Sequence, residues 1–359
     1  MDTGEPAKAG RARSGGLWDP AFPVRPARCR VFYGWVVVAL STLGICASMP
    51  GQTIGVSVFT GRLREALGLS AMQLSTAYML GTFLSALWLG AGGRFFDRVG
   101  ARKSMVFSVV AMGVVLLGLS AVEAAVPWVR AVPFMDYRPW LAAFVLLTVG
   151  FALLRFTGQG MLTLSSRAML GKWFDRRRGT VTAWSGAVVS LFLSATPLML
   201  EWLIRRVGWQ GAWQLLGLVL LLVVAVVFWA FARDNPEECG LEMDGGVVPE
   251  RGPRNQDAVV YRDYNRAEAC RTFSFWAFTL TMGLSGMVLT AYTFHVLEIS
   301  EELRVSSDYI LRLFVPTAAV SVVSGFVTAW LTDKPFVRVK YLLCVMAVTL
   351  QVGFLSVAL

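Results

Sequence analysis

The sequence predicts an all-α fold that crosses a membrane many times, and three observations predict it. Apolar residues make up 56% of the 359 and charged residues only 16%, where soluble domains average about 45–50% and about 25%. The apolar residues are gathered into blocks of 18 to 27 residues, long enough for a helix to cross a hydrocarbon core of about 30 Å. Those blocks are solid rather than short and alternating, which excludes a membrane barrel and leaves helices.

Nine blocks follow one another, at residues 33–59, 71–92, 105–122, 140–166, 181–203, 211–232, 273–297, 309–331 and 341–358. The first is interrupted by Pro50-Gly51-Gln52-Thr53, where proline and glycine free backbone groups and Gln52 offers a polar tip. Tyr78 supplies a polar tip to the second block, and Arg155 lies near the middle of the fourth. Gly186, Ser190 and Ser194 form a small-residue ridge on the fifth, read as helix packing. Tyr292 and His295 close the seventh, while Asp308 and Arg312 stand four apart around the start of the eighth. Aromatic residues mark many block ends (Tyr33, Trp35, Trp140, Trp173, Trp202, Trp209, Trp276 and Trp330), as an interfacial belt would.

Lys and Arg set the orientation. With a cytoplasmic N-terminus, 23 of the 33 basic residues fall in inside segments and 7 in outside loops, as the positive-inside rule requires. The net charge of +10 is thereby assigned to topology rather than to nucleic acid. Residues 1–32, rich in Pro, Gly, Ala and Arg, read as a disordered cytoplasmic tail. Residues 33–233 read as a six-helix bundle, 234–271 as a cytoplasmic linker with nine carboxylates, and 272–359 as an incomplete second bundle of three helices. The lopsided count, six spans against three, leads us to expect a truncated chain.

Five scattered cysteines without a CxxC pair and a single histidine exclude a disulfide framework, a zinc site and a histidine-rich metal centre. The chain has no HExxH, GxSxG or GxxxxGK[ST] segment, so no enzyme class is indicated and no cofactor is expected.

The turn after the second block reads Gly93-Arg94-Phe95-Phe96-Asp97-Arg98-Val99-Gly100-Ala101-Arg102-Lys103. Reversing two helices so tightly calls for glycine at Gly93 and Gly100, and Asp97 is placed to accept hydrogen bonds from an arginine or a helix start. This segment resembles the signature loop of the major facilitator superfamily. A weaker copy follows the eighth block around Asp333, 236 residues later, as repeated halves would produce. Lys172-Trp173-Phe174-Asp175-Arg176-Arg177-Arg178-Gly179, Asn235-Pro236-Glu237-Glu238-Cys239-Gly240-Leu241 and Phe275-Trp276 resemble the oxalate/formate antiporter and monocarboxylate porter branch. The resemblance implies a twelve-helix transporter in which two bundles rock about a midplane site.

On that reading Arg155 is the anion-binding candidate. A charge at a helix centre costs at least ~2.5–3.5 kcal/mol and faces a cavity or a partner. No Asp or Glu lies in the middle of any block, and a guanidinium fork suits a carboxylate. Bonding of Arg155 to helix carbonyls is the structural alternative. Gln159, one turn along, Gln52 and Tyr78 are the other substrate-binding candidates. Gly93, Asp97, Arg98, Gly100, Arg102, Lys103 and Asp333, with the Arg176–Arg178 cluster, form the expected cytoplasmic gating loops. His295, Asp308 and Arg312 are candidates for coupling or an outer gate. The sequence thus predicts a monomeric multi-pass protein of a bacterial inner membrane that carries a small organic anion, with a proton or counter-anion as possible co-substrate. A non-transporting sensor or remnant, and a carrier of neutral solutes or drugs, are the alternatives.

Overall fold

A computed structural model describes residues 16–132, 137–175, 177–246, 264–302, 304–332 and 337–358. Every regular element among the described residues is a helix. Helix α1 (Gly34–Ala47) passes through a 3-10 turn at Met49–Gly51, where Pro50 stands at its start, into α2 (Thr53–Ser57) and α3 (Thr60–Leu67). The first block is therefore a broken helix, because a proline ring cannot sit in an unbroken ladder of backbone hydrogen bonds. Gly68, at φ 63°, ends α3 in the left-handed conformation. Ser70 then starts α4 (Ala71–Ser120) through a capping box with Gln73, which satisfies two of the free N–H groups at a helix start.

Helix α4 is two crossings fused at Gly100, whose φ of 81° and ψ of 175° reverse the chain. A short α5 (Val122–Arg130) leads toward α6 (Leu141–Arg155). This passes through a π-helical segment, Phe156–Leu162, into α7 (Thr163–Trp173). Helix α8 (Arg178–Val219) repeats the glycine device at Gly208, with φ 75° and ψ 169°, before a second π segment, Leu220–Val224, and α9 (Ala225–Phe231). Further on come α10 (Arg266–Ala269), α11 (Phe273–Phe294), α12 (Val296–Glu302), α13 (Ser307–Arg312), α14 (Phe314–Thr332) and α15 (Val339–Ala358). Each of the nine apolar blocks falls on these helices, and the runs 71–120, 141–173, 178–231 and 273–294 are long and apolar enough to cross a membrane.

One core, which includes Val37, Met105, Met112, Leu147, Phe151, Trp173, Trp213 and Phe228, joins α1 through α9. Hydroxyls cross between the helices inside it. Ser41 donates to the Ser166 carbonyl, Ser104 pairs with Ser165, and Thr42 pairs with Ser185, at 2.7–2.8 Å. Such side chains hold helices together where lipid offers no hydrophobic drive. Around the outside, Phe83, Leu87, Trp88, Leu222 and Val223 are exposed, a lipid-facing rim.

The aromatic belt is only partly what the sequence suggested. Trp35, Trp202, Trp276 and Trp330 are exposed, whereas Tyr33, Trp173 and Trp209 are buried in the core. Tyr33 donates to the Phe231 carbonyl at 2.6 Å, tying α1 to α9. Gly186 likewise meets no neighbour that a Cβ would touch. It lines a cleft of about 610 Å³ between α8 and α14, with Ser321 and Gly325, rather than a tight packing seam.

Candidate functional site

Backbone contact creates the central site. Gly51, in the break of the first block, and Gly158, in the π segment, approach so closely that a Cβ on either would lie 2.9 Å from the other's Cα. Only glycine permits that approach. It sets Thr53 and Arg155 side by side, and the first crossing of α4 brings Tyr78 to both. Arg155 is 7% exposed. Its Nη1 donates to Tyr78 Oη at 2.6 Å and to Thr53 Oγ1 at 3.1 Å, and Tyr78 donates to Thr53 Oγ1 at 2.9 Å. The guanidinium also lies 5.2 Å from the Tyr78 ring centroid.

No carboxylate bonds to Arg155 among the described residues; both partners are neutral hydroxyls. A guanidinium carries five N–H donors, and two bonds from one nitrogen leave the other edge to be accounted for. Both of its bonds run through Nη1, which leaves the edge formed by Nε and Nη2. Thr82, one turn from Tyr78, lies beside the same phenol. Neither Thr53 nor Thr82 stood out in the sequence, where isolated threonines carry no signal.

The other central candidates are placed differently. Gln52 is half-buried and donates to Ser48 Oγ at 2.8 Å, in a polar strip shared with Thr163. Gln159 is exposed while Arg155 is buried, so the two do not continue one face. The π segment beginning at Phe156 widens the turn and breaks the four-residue spacing that would align them.

At the basic end of the bundle, Asp97 and Arg98 are exposed. The carboxylate seated at the turn is Asp234, whose Oδ1 accepts from the Arg102 N–H at 2.8 Å. A Cβ on Gly100 would lie 2.6 Å from that carboxylate, so positive φ and crowding both demand glycine there. Gly93 has neither feature, since nothing stands within 4 Å and its φ is ordinary. Lys103 and Arg102 lie over the Trp18 ring, at 5.8 and 5.5 Å from its centroid. Asp244 supplies a second cap that the sequence did not reveal, its two oxygens accepting the N–H groups of Asp175 and Arg177 just ahead of α8.

The tail expected to be disordered is held from Gly16 onward. Arg233, 1% exposed, donates all five of its N–H bonds to backbone carbonyls. Nε reaches Pro20, Nη1 reaches Ala230 and Ala232, and Nη2 reaches Phe22 and Val24, at 2.7–3.1 Å. Arg102, 3% exposed, adds bonds to the carbonyls of Asp19, Phe22 and Trp229, and Phe22 packs edge-on against Trp229. Asp333 and Arg176 lie outside the described residues.

At the far end, Glu298 stands between Arg64 and His295. Its Oε1 accepts from Arg64 at 3.1 Å and its Oε2 lies 2.5 Å from His295 Nδ1. Glu201 joins Arg62 and Arg205, at 2.7 and 3.0 Å. Asp308 falls on α13 with its side chain outside the described set, and Arg312 is exposed. The ion pair that spans from α3 to α12 is Arg64–Glu298.

The sequence profile of the Major Facilitator Superfamily matches residues 40–359. The chain is 22% identical over 262 residues to the oxalate:formate antiporter of Oxalobacter formigenes, covering 72% of this chain and 54% of that protein. It is 25% identical over 240 residues to the uncharacterized MFS-type transporter YhjX of Escherichia coli (strain K12), covering 66% and 52%. The chain therefore spans about half the length of these curated relatives.

Proposed function

This chain belongs to the major facilitator superfamily, and on that premise we propose that it moves a small organic anion across a membrane by alternating access, with Arg155 as the anion-binding group. One observation carries this reading. Arg155 is buried in the middle of an apolar crossing and is held through Nη1 by two neutral hydroxyls, which leaves the Nε–Nη2 edge of its fork. A charge so placed is costly, and a carboxylate binding that edge offsets the cost through two parallel charge-assisted bonds. Tyr78 and Thr53 orient the guanidinium, and Thr82 offers a further hydroxyl. The name of the Oxalobacter relative, an oxalate:formate antiporter, fits an anion site, and exchange against a second anion would return the empty Arg155 without stranding its charge.

The basic end lies in the cytoplasm on this reading, with residues 33–233 as the first half, 234–271 as the link and 272–359 in the second half. Asp97, Arg98, Arg102, Lys103, Arg177 and Arg178 line the inner gate, and Arg64, Glu298 and His295 the outer one. His295 is then the group available for proton coupling. The membrane is the inner membrane of a bacterium, and both relatives are bacterial.

The test is uptake of labelled oxalate, formate, lactate and pyruvate into proteoliposomes holding the parent chain or Arg155→Gln. Uptake by the parent that is lost in the correctly inserted variant is the expected result. Equal uptake by both removes Arg155 from the site, and no uptake of any of the four by the inserted parent removes the organic-anion reading.

A further inference from the structure

The wall between the Arg155 site and the far end is supplied by a distant part of the chain. Among its described residues, the 22-residue α11 has one buried member, its last, Phe294. That ring lies 4.5 Å from the Tyr78 ring at an interplanar angle of 24°, a stacked pair, and is 6% exposed. Tyr78 is thereby enclosed, with Phe151 edge-on at 5.4 Å on one side and Phe294 on another, while its hydroxyl holds Arg155. The helix ends immediately afterwards at His295, whose φ of −93° and ψ of 11° are not helical. Three residues further on, Glu298 bonds Arg64.

The one ring that this helix buries is at its end, so the enclosure of Tyr78 from this side depends on Phe294. Stacked rings of this kind are specific in geometry yet modest in strength, so the contact can form and break as the halves move. We infer that Phe294 is the removable seal of the anion site: stacked on Tyr78, it closes Arg155 and Thr53 off from the far side, and the Arg64–Glu298 pair holds it closed. This rests on the reading of Arg155 as the anion group and of the far end as external. Polar pairing keeps the seal shut without touching the site, and withdrawal of one ring opens it.

The experiment measures external access to the site rather than transport. A single cysteine replaces Thr53 (T53C) in the full chain with its five native cysteines changed to alanine or serine. Intact cells are then treated with a membrane-impermeant sulfonated thiol reagent. Labelling is expected to be slow with Phe294 present, about tenfold faster in Phe294→Ala, slow again in Phe294→Tyr, and faster in Glu298→Gln, which leaves the core untouched. Equal labelling rates across all four chains overturn the seal, as does a Phe294→Tyr chain that labels as fast as Phe294→Ala. Oxalate added during labelling separates the two ideas. Protection by oxalate supports the anion site, whereas a Phe294 effect without protection leaves the seal standing and the anion reading refuted.

Discussion

Replacing Arg233 by alanine should free the segment before α1 while leaving the helices assembled. The guanidinium makes five bonds, three of them to the carbonyls of Pro20, Phe22 and Val24. Hydrogen bonds from a charged group contribute about 1.5–3 kcal/mol each, so three bonds set a gross ceiling of ~5–9 kcal/mol. Two effects reduce it. The carbonyls left unbonded by the substitution regain water, which offsets part of each lost bond. Arg102 still holds the carbonyls of Asp19 and Phe22, which limits how far the segment departs. A loss of ~2–4 kcal/mol remains, equivalent to a roughly 30- to 1,000-fold rise in the detached population. Trypsin reports this directly, because Arg28 and Arg30 lie just beyond the anchored carbonyls and neither precedes a proline. Cleavage at these sites tracks the open population when opening is fast. Arg233→Lys, with three donors on a compact ammonium, should fall between parent and alanine. Parent-like cleavage in Arg233→Ala, with deuterium uptake at residues 17–24 also unchanged, would refute the claim that the arginine holds this segment.

Gly158→Ala should lower the melting temperature, since its Cβ would stand 2.8 Å from Met112 Sδ and 2.9 Å from Gly51 Cα; overpacking of this kind costs about 1–3 kcal/mol. Gly186→Ala, with nothing within 4 Å, serves as the matched control and should melt as the parent does. Gly100→Ala should destabilise through its φ of 81° and the Asp234 carboxylate, by ~1–3 kcal/mol for the backbone alone. Asp234→Asn should weaken the same turn, whereas Asp97→Asn should leave the melting temperature unchanged, and the opposite ranking would restore Asp97 as the acid of the turn.

The helices and the reversal at Gly100 were legible because they depend on local facts, namely apolar length and a glycine flanked by basic residues. What surrounds Arg155 was not. Thr53 and Tyr78 meet it only because Gly51 and Gly158 let two backbones touch, 102 and 77 residues away in sequence for the two hydroxyls. The acid of the turn was misassigned for a similar reason, because Asp97 is near in sequence while Asp234 is 132 residues from Arg102. Gln159 was aligned with Arg155 by α-helical spacing, which the π segment does not keep. The segment from Gly16 has the composition of a disordered tail, and its order comes from two arginines on other helices that supply donors for its carbonyls.

Three arginines among the described residues are buried, Arg102, Arg155 and Arg233, and their partners differ. Arg233 has every N–H on a carbonyl, and two of those carbonyls belong to the end of α9, where a cation suits the helix dipole. Arg102 sits beside it with carbonyl partners from the same region and Asp234 at its backbone N–H. Both are at the basic end, next to a turn, and bond backbone carbonyls throughout. Arg155 is the reverse case. It lies in a crossing rather than at a helix end, meets hydroxyls rather than carbonyls, and is held through Nη1, which leaves the Nε–Nη2 edge. A purely structural arginine at that depth would be saturated as Arg233 is, because each unsatisfied donor there is expensive. An incomplete set of partners at the most costly position in the fold is what a site that binds and releases an anion requires.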